Sequence, residues 1–185
     1  MRSPNPRPAR LVALSLVLAI TAAGCGDDDD AETSSTTAWA EEFCATTRAW
    51  GDELERIGED LDLSSISSDA LDQAAEDARE ATDEYIETIR DLGGPDTESG
   101  DEVEQSVEEL ADEVEAERTE IEDAVDDAGG LSGALTAARE IASSVAAMFT
   151  ALERTLEAID EADVNGELDA AFDEAESCEG FRDRN

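Results

Sequence analysis

The sequence predicts an all-α protein: an up-down bundle of four long helices followed by a short C-terminal helix. Three observations carry this reading. Apolar residues recur at three- and four-residue steps, the spacing of one helix face. No stretch shows the β-branched alternation of a strand. The breaks between these stretches are short and rich in Gly and Ser, which returns each helix antiparallel to the one before.

The first helix is predicted from about Ala38 to Ile57, with Thr36 or Thr37 as N-cap. At about 100° per residue, Trp39, Phe43, Trp50, Leu54 and Ile57 share a narrow inward sector, and Cys44 lies at its flank. The second begins after Ser67 or Ser68 and turns Leu71, Ala74, Ala78, Ala81, Tyr85, Ile89 and Leu92 inward, until Gly93-Gly94-Pro95 stops it. The third runs from about Asp101 to Ala128, with Val103, Val107, Leu110, Val114, Ile121 and Val125 on one side and Glu117 interrupting the stripe. Its other faces carry fourteen acids and one arginine, so tertiary packing must hold it helical against like-charge repulsion.

The fourth helix, from about Leu131 to Ile159, has the clearest repeat. Leu131, Leu135, Ala138, Ala142, Val145, Phe149, Leu152, Leu156 and Ile159 alternate four- and three-residue steps. The uncharged run Ile141–Leu152 marks its middle as the most buried segment. Leu168, Phe172 and Ala175 then define a short last helix ending near Cys178.

The N-terminus has a different character. Arg2, Arg7 and Arg10 precede an uncharged apolar stretch from Leu11 to Ala23, and small residues lead into Cys25. The stretch falls short of the ~20 apolar residues of a transmembrane helix. These 25 residues resemble the signal peptide of bacterial lipoproteins. The resemblance implies that residues 1–24 are removed and that Cys25 becomes an acylated (palmitate-bearing) N-terminus. The protein would then sit on the extracytoplasmic face of the cell membrane. An ordinary secretory signal cleaved after Gly24 is the plainer alternative. Residues 25–37, with four successive Asp and then Ser and Thr, read as an acidic tether, and residues 38–185 as the bundle domain.

Cysteine parity agrees with lipidation. The chain holds Cys25, Cys44 and Cys178, so acylation of Cys25 leaves an even pair for one disulfide in an oxidising compartment. In an up-down bundle the fifth helix climbs ~18 Å back to Cys178, while Cys44 lies ~9 Å along the first helix, so the two can meet. The pair Cys44–Cys178 would close the bundle.

Charge excludes several partners. The basic residues are all arginine, and histidine is absent. Loss of the signal removes three of the twelve arginines, leaving nine against 51 acids and a formal charge of −42. Such a surface repels nucleic acid, and it repels anionic lipid heads, so membrane contact is expected through acyl chains alone. It can attract cations or a basic partner, but a solvating acidic surface is the favoured reading.

Without histidine the chain has no His-based triad and no usual general base at neutral pH, and it carries no phosphate-binding glycine loop. No catalytic residue is expected, and a carboxylate-based hydrolase is a distant alternative. The aromatics Trp39, Phe43, Trp50 and Phe149 read as core, with a ligand groove as the other option. The loop from Glu161 to Phe172 resembles an EF-hand calcium loop. Glu161, Asp163 and Asn165 stand at its first, third and fifth positions, Gly166 at the turn, and Asp169 is a further oxygen donor. Its twelfth position is Phe172 where a bidentate Glu belongs, and Asp173 comes one residue late. Any calcium site is therefore expected to be weak, and a plain helix–loop–helix turn is favoured.

The Trp39–Cys44 run W-x-x-x-F-C, with C-x-x-F at Cys178–Phe181, also resembles small secreted actinobacterial lipoproteins, a group to which no activity is attached. The resulting expectation is a lipid-anchored acidic bundle that acts as a binding or structural module. A calcium-dependent binding protein using the 161–172 loop is the alternative. The heptads leave a homo-oligomer open.

Overall fold

The computed structural model describes residues 29–60 and 67–179; the expected signal peptide, Cys25 and Phe181 lie outside these residues. Within them the protein is all α: α1 (Asp29–Asp60), α2 (Ser68–Leu92), α3 (Gly100–Asp126), α4 (Gly130–Ala162) and α5 (Glu167–Glu174), with a 3-10 turn at Glu176–Cys178. Neighbours in sequence pack together from α1 to α4, and α5 with the 3-10 turn returns to lie along α1. None of the described helices is long and apolar enough to cross a membrane.

Helix ends follow local chemistry where it is strong. Ser67 caps α2, its hydroxyl accepting from the Ala70 amide at 3.3 Å. Gly93, at φ +62°, ends that helix. The turn behind it is tight: a Cβ on Gly94 would lie 2.3 Å from the Gly100 carbonyl oxygen, so a side chain there cannot fit. At the start of α1 the sequence reading is corrected. The helix begins at Asp29, so it overlaps the expected tether and places Thr36 and Thr37 inside it instead of at its cap. The reason is tertiary. Thr36 is 3% exposed, and the Thr37 hydroxyl donates to Glu174 on α5 at 3.3 Å, so this turn is held from outside.

The apolar stripes of α1 to α3 pack largely as their spacing predicts. Trp39, Phe43, Trp50 and Ile57 on α1 are buried, as are Leu71, Tyr85 and Ile89 on α2 and Val103, Val107, Leu110, Val114 and Ile121 on α3. Near the end of α3, Ala124 is buried in preference to Val125, which is half-buried like Glu117. A smaller apolar cluster of Leu71, Ala124, Ala134 and Ala137 closes the far end of the bundle.

On α4 the inward face is displaced by one residue from the predicted one. The buried line is Ala134, Ala137, Ser144, Met148, Ala151, Thr155, Ile159 and Ala162. Of the predicted set, Leu152 and Ile159 are buried, Ala138, Val145 and Leu156 are half-buried, and Leu135, Ala142 and Phe149 are exposed. Nor is Ile141–Leu152 buried throughout: Ala142, Ser143, Ala146, Phe149 and Thr150 face outward. The physical reason is side-chain volume. Small residues let α4 approach α3 closely, and axial separation is set by the side chains at the contact. Between α4 and α1 the packing is looser, and their Cα atoms stay more than 8 Å apart among the described residues. Phe149 spans that gap to Trp50, with ring centroids 5.6 Å apart.

This geometry orders the cost of truncation. Met148, 1% exposed, should lose about 2–5 kcal/mol of stability on change to alanine. Phe149→Ala should cost clearly less, because 37% of that residue is already in water. Denaturant unfolding of the two variants measures the order; equal losses would place Phe149 in the core.

Candidate functional site

The most elaborated region is the seam where α5 and the 3-10 turn dock on the first half of α1. Trp39 and Phe43, one turn apart, stack at 5.4 Å and 8°, and Phe172 from α5 meets both edge-on at 6.2 and 6.3 Å. The Trp39 indole N–H donates to the Gly93 carbonyl at 2.9 Å, which ties this cluster to the end of α2. Beyond it Cys44 and Cys178 form a disulfide, with Sγ–Sγ 2.10 Å and Cα–Cα 5.1 Å. Both cysteines are buried.

Polar contacts flank the disulfide. The Ser177 hydroxyl bonds the Glu41 carboxylate and reaches the Glu41 carbonyl at 3.0 Å, while the Ser177 amide donates to the same carboxylate at 3.1 Å. The Arg48 guanidinium donates to the Glu179 carbonyl at 2.7 Å. Ser177, with its backbone, holds the Glu41 carboxyl below the ordinary value of 4.5. No sequence pattern announces these partners, which lie more than 130 residues apart.

A second aromatic group sits deeper. Trp50 stacks on Tyr85 at 4.4 Å and 5°, and its N–H donates to the Thr82 hydroxyl at 3.2 Å. The Tyr85 hydroxyl lies 3.4 Å from that of Thr47, and burial pushes its pKa up. These rings fill the interior. The void among Leu54, Ala78, Thr82, Arg118, Ile121 and Met148 measures about 10 Å³, room for about one water. Tyr85 and Glu41 are thus driven away from neutrality in opposite directions, which suits neither to proton transfer near pH 7.

The loop residues singled out as calcium ligands are differently employed. Gly166, at φ +75°, turns the chain into α5, a left-handed conformation that glycine adopts at no cost. The Asp163 carboxylate accepts from the Asp169 amide at 2.8 Å, capping a helix whose N-cap residue has no side chain. Asn165 donates its amide to Glu98 at 3.2 Å. Glu161 is exposed. Among the described residues no three acidic, Cys or His side chains gather so as to hold a metal ion. Asp163 and Gly166 thus shape the turn that starts α5.

Elsewhere the surface is grooved and acidic. Glu42, Glu84, Glu87 and Asp91 line one shallow groove at α1 and α2, and Asp83, Glu87, Asp91 and Glu115 with Arg90 line another at α2 and α3.

Two outcomes follow from these contacts. A carboxyl held below its ordinary value stabilises the native state above that value, and the gain is lost as pH falls through the native one. Glu41→Gln should therefore lower the melting temperature at pH 7, by an amount that shrinks as the pH is taken down below 4.5; a pH-independent loss would assign the effect to packing. Asp163→Ala should cost about 1 kcal/mol, as for loss of an N-cap, and Asp163→Asn less, measured by chemical unfolding.

Compared with protein-family models, with curated proteins and with solved structures, the chain matches none of them.

Proposed function

We propose that this chain is a lipid-anchored, acidic module outside the cytoplasmic membrane that binds or organises a partner and catalyses no reaction. The observation that carries the reading is cysteine pairing. Cys44 and Cys178 are joined, which suits an oxidising compartment, and the one remaining cysteine is Cys25. That residue follows three arginines, an uncharged apolar stretch and small residues, the pattern of a lipoprotein signal. A module that meets its partner at a membrane surface needs no catalytic group. Its formal charge favours a partner that is basic or reached through cations.

The experiment is the exchange Cys25→Ser in a bacterial host. The native protein should fractionate with membranes and carry acyl chains by intact-mass analysis. Two or more chains give stable attachment, whereas one gives only marginal binding. The variant should appear in the soluble extracytoplasmic fraction or remain unprocessed. A cleaved Ser variant that still sediments with membranes would overturn the anchor. Recovery of Cys44 and Cys178 as free thiols from the native fraction would overturn the compartment.

A further inference from the structure

The outward face of α4 differs from every other exposed surface described. From Ile141 to Leu152 the chain has no charged residue, in a protein where a third of all residues are charged. Ala142, Ser143, Ala146, Phe149 and Thr150 are exposed there. Among the described residues three large apolar side chains are exposed, and two of them, Leu135 at 40% and Phe149 at 37%, lie on this one helix. At about 100° per residue, Leu135, Arg139, Ala142, Ala146, Phe149 and Glu153 fall within one sector about 80° wide. They form a straight strip parallel to the helix axis.

The ends of the strip carry opposite charges that form no ion pair among the described residues. Arg139 and Glu153 are both exposed. The other described arginines are engaged: Arg56, Arg79, Arg90, Arg118 and Arg154 in ion pairs, and Arg48 on a carbonyl. Among the described residues Arg139 has no such partner. Arg139 and Glu153 stand equally far from Ala146 along the helix, at about 10 Å on either side, and in the same sector. The strip is therefore complementary to itself when inverted.

We infer that this face of α4 is a self-association surface, on which a second copy docks antiparallel about a two-fold axis through Ala146. Each Arg139 then meets Glu153 of the other copy, and each Phe149 lies beside the other's Ala142. Ala146 faces its own equivalent, where small side chains let the two helices approach closely. Such an isologous contact closes after two copies. It also solves the charge problem of self-association. Elsewhere on the surface two copies would present carboxylates to carboxylates, but here the facing strip is neutral and ends in attraction. The inference does not depend on how the chain is anchored.

Charge exchange tests it on the full chain. Sedimentation equilibrium over rising protein concentration should show a monomer–dimer equilibrium. Arg139→Glu, which sets two acids face to face at each end, should weaken dimerisation at least tenfold. The double exchange Arg139→Glu with Glu153→Arg should restore it, a result that general loss of stability cannot produce; thermal melts confirm that each variant folds. Ala146→Cys should cross-link to a dimer under mild oxidation, whereas a cysteine at Thr136, outside the strip, should cross-link far less. A chain that stays monomeric overturns the proposal. So does a dimer indifferent to Arg139→Glu, or one that Arg139→Glu weakens and the double exchange fails to restore.

Discussion

The chain carries fifty-one acidic residues, many of them on its helices, and twelve arginines are too few to neutralise them. Their mutual repulsion is the constraint to which the architecture answers. Helices with so many acids gain little from their own propensity, and burial of apolar faces must hold them together. Three of the five arginines on α2 to α4 are placed at helix junctions. Arg90 reaches Asp112 and Glu115 on α3, Arg118 reaches back to Asp83 on α2, and Arg154 grips Glu113 through both terminal nitrogens. These pairs are exposed and individually weak. Their use is to lower the local repulsion where neighbouring helices come closest.

The same constraint explains why α4 differs from its neighbours. It is the partner that α3 needs, and α3 itself carries thirteen acids. An uncharged, small-residue face lets α4 come close without adding to the field. Ser144 and Thr155, both buried on that face, illustrate the choice of volume over hydrophobicity. The Thr155 hydroxyl is satisfied within its own helix by the Ala151 carbonyl at 3.0 Å, so its burial leaves no orphan donor.

Much of this was legible in the sequence, and the parts that were not share a cause. Helix number, the stop at Gly93, the Ser67 cap and the Cys44–Cys178 pair depend on local chemistry or on simple rise per residue. The face of α4 does not. Two registers, one residue apart, both repeat at three and four steps: one lined by Leu, Val and Phe, the other by Ala, Ser and Met. Hydrophobicity selects the first, and close packing against α3 selects the second. The start of α1 failed for a related reason, since Thr36 is buried by tertiary contacts that a string of polar residues does not announce. In the 161–172 loop the residue types were read as oxygen donors. At Asp163 the start of α5 decides the partner: its carboxylate accepts from the Asp169 amide.

The disulfide has a mechanical meaning as well as a structural one. Cys44 lies on the first helix and Cys178 beyond the last, 134 residues apart. Tension applied between the two ends of the chain runs along α1 to Cys44, crosses the sulfur bridge, and leaves through the C-terminal residues. The helices α2, α3 and α4 are out of the load path altogether. A pull that would unravel an open bundle therefore stops at the bridge, with the greater part of the domain under no strain.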